Sequence, residues 1–156
     1  MRVDSQNGSI SVIGESQRQD VEVQAAITAS GNTKDEAEER LSDVVIDCER
    51  DPQGRLMVKA SFPGKRRSNE GVSYVIRVPS VDGAELRSSN GAIRTLDITG
   101  ELTARTSNGR IEITDHRGSV DAETSNGSVS LSGLSGVARV RTSNGDITVT
   151  AKRDRP

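Results

Sequence analysis

Apolar and polar residues alternate strictly along short segments of the second half of the chain. Counting from Asn108, apolar side chains follow at Ile111 and Ile113, and a second alternating pair follows at Val120 and Ala122. An alternation of period two is typical of β-strands that bury one face. Each such unit is therefore predicted to contain two short strands with their apolar side chains turned inward.

This alternation recurs with a period of 18 residues. The tripeptide Ser-Asn-Gly occurs four times at that interval, and a second glycine series keeps the same interval at Gly100, Gly118 and Gly136. A fixed period with two strands per unit predicts parallel stacking, in which equivalent residues lie about 4.8 Å apart. The residues predicted to form the corner ladder are Asn90, Gly91, Asn108, Gly109, Asn126, Gly127, Asn144 and Gly145.

The Asn-Gly pair is predicted to form the corner of each unit. Glycine adopts a positive φ freely and asparagine tolerates it, and stacked asparagine side chains can hydrogen-bond amide to amide. The alternative is a row of Asn-Gly hairpins in an antiparallel meander. That alternative explains neither the fixed period nor the identical corners.

The first half of the chain is less regular. Residues 7–12 copy the corner and strand of the later units, and Thr33–Glu36 is a capping box that predicts a helix near 34–43. The predicted fold is all-β: a parallel β-helix or β-solenoid with 18-residue coils and that one short helix. It forms a single domain over 1–156, with irregular first coils at 3–78 and regular coils at 79–151. The helix and the charged tail, residues 152–156, are predicted to cap its two ends.

Composition narrows the functional classes. Only Phe62 and Tyr74 are aromatic among 156 residues, so a thin aliphatic core is favoured over a thick globular one. A net charge of −2 provides no overall field to attract nucleic acid, and no apolar run approaches the roughly 20 residues of a membrane span. No nucleic-acid partner, membrane span, secretion leader or anchor is predicted in this chain.

Few side chains suggest chemistry. His116 is the sole histidine and takes a place filled by Ile98 and Leu134 in neighbouring units, which indicates a tolerated corner residue. Cys48 is the sole cysteine and is predicted to be a small buried hydrophobe. With no convincing nucleophile or paired acid and base, the chain is predicted not to be an enzyme.

Two charged groups offer ligand sites with simpler alternatives. Asp97 and Asp115 occupy equivalent positions and could offer oxygen ligands to Ca²⁺, but the next equivalent is Gly133. The cluster Lys65–Arg67 could bind an anion, but it is interpreted as a solvated loop. No metal or cofactor is therefore predicted.

The early Asn-Gly coil, the helix with Asp35-Glu36-Ala37, the strand at 74–79 and the Ser-Asn-Gly-x-Ile-x-Ile run together resemble the bacterial putative-adhesin family. The resemblance implies a β-solenoid domain of unknown biochemical role and a cell-envelope or extracellular location. The predicted function is a non-enzymatic structural or adhesion module with a protein, glycan or cell-wall partner. A carbohydrate-active β-helix enzyme and a scaffold that self-associates through its coil ends remain the alternatives.

Overall fold

A computed structural model describes residues 1–151 of the chain. In this part of the chain fourteen β-strands and one α-helix form. The strands are β1 (Arg2–Asn7), β2 (Ile10–Gly14), β3 (Glu22–Thr28), β4 (Val45–Arg50), β5 (Leu56–Ser61), β6 (Gly71–Val78), β7 (Asp82–Asn90), β8 (Ile93–Leu96), β9 (Thr99–Asn108), β10 (Ile111–Thr114), β11 (Val120–Asn126), β12 (Val129–Leu134), β13 (Ala138–Asn144) and β14 (Ile147–Ala151); helix α1 is Lys34–Ser42.

These strands form two seven-stranded sheets. Sheet A has the order β13-β11-β9-β7-β1-β5-β4, and sheet B has the order β14-β12-β10-β8-β2-β6-β3. Most pairs are parallel, but β4 lies antiparallel to β5, and β3 lies antiparallel to β6. The prediction of a parallel β-helix or β-solenoid is therefore wrong: the chain forms two mixed, mostly parallel sheets and one short helix.

The error has a physical origin in what an 18-residue period specifies. The period sets the register between neighbouring units, so Val120 pairs in parallel with Leu102 on one side and Ala138 on the other. It says nothing about residues outside the repeat. There, a tight turn from Asp51 to Arg55 joins β4 to β5, and a connection this short can only join antiparallel strands.

The core lies between the inner faces of the two sheets. In sheet B the aligned residues Ile10, Ile93, Ile111 and Val129 are all fully buried. Burying a side chain of this size contributes about 1.5–3 kcal/mol. At the edge of the same row Ile147 is 47% exposed, so identical positions of the repeat contribute unequally to stability.

The helix begins and ends close to the predicted positions. The Thr33 hydroxyl accepts a hydrogen bond from the Glu36 backbone N–H at 3.2 Å, and the Glu36 carboxylate accepts one from the Asn32 N–H at 2.8 Å, which satisfies two donors at the helix start. The helix buries no residue. No helix within residues 1–151 has the length and apolar character needed to cross a membrane. The predicted cap at 152–156 lies outside the described residues.

Candidate functional site

The corner asparagines form a continuous hydrogen-bonded row. Each side-chain amide donates through Nδ2 to the Oδ1 of the equivalent asparagine in the neighbouring strand, and Asn7 ends the row by donating to the Glu70 carbonyl at 3.0 Å. The row is exposed, and its members offer their polar groups mainly to one another. The four distances are 2.7 Å for Asn90 to Asn7, 2.7 Å for Asn108 to Asn90, 2.9 Å for Asn126 to Asn108 and 2.9 Å for Asn144 to Asn126.

A second row of hydrogen bonds lies just inside the corner. Thr106, Thr124 and Thr142 stand two residues before an asparagine, and each hydroxyl donates to the carbonyl oxygen of a corner glycine in the neighbouring unit at 2.9–3.1 Å. These hydroxyls face inward, so the bonds satisfy groups that would otherwise be buried without partners. Both rows serve to fix the register between strands.

Of the four corner glycines, only Gly145 has the predicted positive φ, at 154°. Positive φ among non-glycine residues within 1–151 occurs at Asp97 (54°) and Asp115 (50°), not at the corner asparagines. Gly109 instead lies so close to the next strand that a Cβ atom would stand 2.0 Å from the Gly91 carbonyl oxygen. Close approach of backbones, rather than a left-handed turn, therefore excludes a side chain at this corner.

A cavity opens where strand β5 separates from β1. The two strands pair only at Arg2 with Met57 and Val3 with Val58, whereas β1 stays paired with β7 as far as Asn7. Beyond Val58 the resulting gap exposes part of the space between the sheets. The cavity measures about 780 Å³, which is large enough for a small ligand or several units of an extended one.

The cavity continues as a groove across the outer face of sheet A. One wall is the segment that follows β5, including Phe62 and Arg66, and the other is formed by outward side chains from β1, β7, β9 and β11. Because neighbouring strands lie about 4.8 Å apart, those side chains form regularly spaced polar rows. The rows are Gln6, Ser89, Ser107 and Ser125, and Asp4, Arg87, Arg105 and Glu123.

The floor of the cavity contains the single tyrosine of the chain. Tyr74 reaches the cavity from the inner face of sheet B and is 1% exposed, and its hydroxyl has no hydrogen-bond partner among residues 1–151. Burial, with smaller contributions from Cys48, Asp4 and Asp47, raises the pKa of this hydroxyl to about 12. The group is therefore a neutral donor and acceptor that a ligand entering the cavity could satisfy.

A buried ion pair holds the segment that forms the cavity wall. The Glu70 carboxylate is fully buried and binds Arg40 of the helix, with 2.7 Å between Arg40 Nη2 and Glu70 Oε2, and it also accepts from the Arg67 backbone N–H at 2.8 Å. Hydrogen bonding to Arg40, opposed by burial and supported by the Arg67 N–H, lowers the pKa of Glu70 to about 2. The helix thus anchors the wall from outside the sheets.

The basic cluster at 65–67 lies in a loop, as predicted, and Lys65 is exposed, but the two arginines are partly buried and hydrogen-bonded. Arg67 donates to the Ser30 carbonyl at 2.9 Å and forms an ion pair with Glu36. Arg66 donates to the Glu70 carbonyl at 3.2 Å and lines the cavity. These two arginines are held in place, which makes Arg66 a fixed cationic group at the rim.

Four cationic side chains and two acidic ones line the cavity within the described residues: Lys59, Arg66, Arg87 and Arg105, against Asp4 and Glu123. The acids already have partners, since Asp4 lies 2.9 Å from Arg2 Nε and Glu123 lies 3.6 Å from Arg105 Nε. Two of the cations are also engaged, Arg87 by Glu85 at 2.5 Å and Arg105 by Asp121 at 3.4 Å. Lys59 and Arg66 have no ion pair among residues 1–151, and these two cations favour anionic or strongly polar ligands.

The other predicted candidates lie elsewhere. Asp97, Asp115 and Gly133 line a separate cavity of about 390 Å³, and no group of three or more His, Cys, Asp or Glu side chains in residues 1–151 is placed to hold a metal ion. His116 is fully buried, with Nε2 3.0 Å from the Gly100 carbonyl oxygen. Cys48 is exposed on edge strand β4, so its predicted burial is wrong.

The sequence contained an unused signal for this groove. Ser89, Ser107 and Ser125 each precede a corner asparagine, and Arg87 and Arg105 stand two positions before a serine. Their period of 18 placed them in rows on the outer face. What the sequence did not reveal is the departure of β5 from β1, which turns a flat polar face into a cavity with Tyr74 at its floor.

No protein-family model and no curated protein sequence matches the chain. A crystal structure described as a putative cell adhesion protein, from Clostridium sporogenes, is similar over 97% of this chain and 91% of that chain, with 13% sequence identity and a TM-score of 0.44. We draw no functional conclusion from this distant similarity. The resemblance to the putative-adhesin family therefore rests on the sequence motifs alone.

Proposed function

We propose that the chain is a non-enzymatic interaction module that binds an extended acidic glycan in the groove of sheet A. The observation that carries the proposal is the cavity between β5 and β1, where the unpartnered hydroxyl of Tyr74 lies beneath a rim of cationic side chains. Apolar atoms at the floor with a few fixed polar groups around them are typical of ligand sites.

The groove suits a chain-like ligand better than a compact one. Its two polar rows run across the strands at a regular spacing of about 4.8 Å. One row contains three serine hydroxyls, and the other places Arg87 and Arg105 between Asp4 and Glu123. A glycan offers hydroxyls along its whole length. Carboxylates on it would bind Arg66 through charge-assisted hydrogen bonds, and they would bind Arg87 in competition with Glu85, which lies 2.5 Å from it.

The arrangement supports binding more than cleavage. Glycoside hydrolysis uses two carboxyl groups with distinct roles, whereas Asp4 and Glu123 of the groove are engaged by Arg2 and Arg105. We therefore propose a binding role without catalysis. The family resemblance supports placing the module at the cell envelope or outside the cell.

A panel of neutral and acidic oligosaccharides, scored for both binding and cleavage, tests the proposal. We expect acidic oligosaccharides such as oligogalacturonate to bind without being shortened. Replacing one charged hydrogen-bonding partner removes about 1.5–3 kcal/mol, so Arg66→Ala should weaken binding about tenfold or more. Arg105→Ala should also weaken binding, but by a smaller factor, because this arginine already pairs with two acids.

Arg94→Ala is the matched control for Arg105→Ala. Arg94 also lies on an outer face and pairs with an acid one strand away, Glu112, at 2.8 Å, but it belongs to sheet B and is remote from the groove. Equal losses of binding in the two variants would place the site elsewhere. Shortened oligosaccharide products would instead support the carbohydrate-active enzyme, and no binding by any acidic glycan would overturn the proposal.

Tyr74→Phe separates binding from folding. The tyrosine hydroxyl is buried without a partner among the described residues, so its removal should leave the unfolding temperature unchanged or raise it. If the ligand reaches the floor, the same variant binds more weakly. A variant that is equally stable and binds equally well would exclude the floor from the site.

A further inference from the structure

Each sheet ends in an edge strand on both sides, and no further strand among residues 1–151 pairs with any of the four edges. Strands β13 and β14 lie at one end of the two sheets, and β4 and β3 lie at the other. Inward-facing apolar side chains remain accessible there, with Ile147 47% and Val149 52% exposed. Exposed edges of this kind can pair with a strand of another molecule.

The two edges of sheet A carry opposite charges on the outer face. On β13 these are Arg139 and Arg141, which pair in register with Asp121 and Glu123 of β11. Within residues 1–151 these two acids form their ion pairs with Arg105 of β9 instead, at 3.4 Å for Asp121 and 3.6 Å for Glu123. The β13 edge therefore presents two arginines without an ion-pair partner among these residues.

The opposite edge strand carries two acids on its outer face, one of them facing Lys59 of β5 in register but without an ion pair between them among residues 1–151. Strand β4 places Asp47 and Glu49 on the same outer face, since each alternates with Cys48, which aligns with the buried Val58. Strand β13 runs parallel to the central strands and β4 runs antiparallel to them. When two copies are placed end to end, β13 of one copy and β4 of the next therefore form an antiparallel pair.

The alignment of residues across sheet A gives the register of that pair. One inner row runs from Cys48 through Val58 and the central strands to Val140. Continuing this row into a second copy puts Val140 opposite Cys48. The neighbouring positions then place Arg141 opposite Asp47 and Arg139 opposite Glu49, and directly opposed charges of this kind stabilise paired strands.

Sheet B is compatible with the same arrangement. Its inner row ends at Val23 on β3 and at Val149 on β14, so continuing the row places these two valines opposite each other. Apolar side chains left accessible at both ends would then be covered. Both sheets would extend through the contact at once.

We propose that a second copy of this chain docks head to tail on these edges, with β13 and β14 of one copy against β4 and β3 of the next. Contact between two identical ends would oppose arginine to arginine or acid to acid, which is destabilising. A head-to-tail contact uses two different surfaces, and it generates linear oligomers when the rotation between successive copies does not close a ring. Continuing both sheets in register relates the copies mainly by translation, so we expect linear oligomers. This inference is independent of the groove.

Sedimentation velocity of the full chain, from micromolar to millimolar concentration and at low and high salt, tests the proposal. We expect oligomers that lengthen with concentration and shorten as salt screens the charges. The variants Arg139→Glu/Arg141→Glu and Asp47→Lys/Glu49→Lys should each be monomeric alone. An equimolar mixture should form oligomers again, because each reversed edge meets a complementary one.

Two controls separate edge pairing from a general effect of charge. A chain with all four reversals keeps the original net charge and should oligomerise like the wild type. Arg110→Glu, which changes an exposed residue outside the edge strands, should leave oligomerisation unchanged. A wild type that stays monomeric at millimolar concentration, a closed dimer, or two variants that fail to associate when mixed would each overturn the proposal.

Discussion

Residues 82–151 and residues 1–78 contribute strands to the same two sheets but follow different rules. In the later region each 18-residue unit adds one parallel strand to each sheet, and Asn126 bonds both to Asn108 and to Asn144. In the earlier region two edge strands run antiparallel, and β5 stays paired with β1 at only two positions. The regular region provides aligned rows of outward side chains, and the irregular region opens the cavity beside them.

The difference shows how a repetitive protein acquires a localised site. Units of the regular region share their corner and core residues, so the architecture alone distinguishes none of them as a binding place. The gap between β5 and β1 brings Tyr74 of sheet B to the floor of a cavity on sheet A, and the Glu70–Arg40 pair fixes the wall above it. The proposed site thus combines outward side chains of the regular region with a gap that only the irregular region provides.

The largest expected effect tests whether the same residue at equivalent positions of two units contributes equally to the free energy of unfolding. Ile111→Ala, in the middle of sheet B and fully buried, should destabilise the protein by about 2–5 kcal/mol. Ile147→Ala removes the same atoms from the exposed edge of the same row and should destabilise by less than about 1 kcal/mol. Chemical denaturation of both variants measures the difference, and equal losses would contradict the contrast between centre and edge.

The next effect tests the reason for the corner glycines. Gly109→Ala should destabilise by about 3 kcal/mol or prevent folding, since its Cβ would lie 2.0 Å from a neighbouring carbonyl oxygen. Gly54→Ala, in the β4–β5 turn with φ of 77° and open space around it, should destabilise by about 1 kcal/mol through backbone strain alone. Thermal unfolding ranks the two. A milder effect at Gly109 would show that the corner tolerates a side chain.

A smaller effect tests the asparagine row. Asn126→Val removes two side-chain hydrogen bonds, and Asn144→Val at the edge removes one. With a net contribution of about 0.5–1.5 kcal/mol for each bond, the loss of stability at Asn126 should be roughly twice that at Asn144. If both variants unfold at the same denaturant concentration as the wild type, the row of asparagines sets the register between strands but does not stabilise the fold.

The smallest effect is a dependence of stability on pH. Burial, partly offset by backbone hydrogen bonds involving Gly100 and Ser119, lowers the pKa of His116. The unfolded chain then binds a proton that the folded chain excludes, so stability falls as the pH drops below about 6.5. His116→Leu introduces the residue that the next unit has at the equivalent position, Leu134, and this variant should not lose stability in that range. The difference in unfolding temperature between wild type and variant should therefore change between pH 7.5 and 5.5.

The Glu70 carboxylate, which is negative where a protonated histidine is positive, affects stability in a different pH range from His116. Its pKa is lowered to about 2 in the folded chain, so its contribution is complete above about 4.5 and is lost as the pH falls towards 2. Because this window lies below that of His116, the two losses can be resolved in one series. An unchanged gap between wild type and His116→Leu over pH 7.5 to 5.5 would contradict the histidine account.

Much of the regular region could be predicted from the sequence, because stacking depends on local features that repeat. The alternation at Ile111 and Ile113 marks a strand with one buried face, and the interval of 18 residues sets the pairing of Val120 with Leu102. The helix was equally readable, since Thr33 and Glu36 cap it through contacts within a single turn.

The architecture and the site could not be predicted in the same way. Antiparallel placement of β3 and the departure of β5 from β1 depend on contacts between segments far apart in sequence, such as Ala25 with Tyr74. Burial of the Glu70–Arg40 pair, 30 residues apart, has no signature in either segment alone. The cavity results from these long-range contacts, so it cannot be predicted from the repeat.

The fluorescence of Tyr74 tests the central claim most directly. The chain has one tyrosine and no tryptophan, so its intrinsic emission reports on the cavity floor alone. Titration with an acidic oligosaccharide should change this emission, with the same midpoint as binding measured by calorimetry, and Arg66→Ala should shift both midpoints together. Calorimetric binding that leaves the Tyr74 emission unchanged would contradict the claim that the gap between β5 and β1 is the binding site.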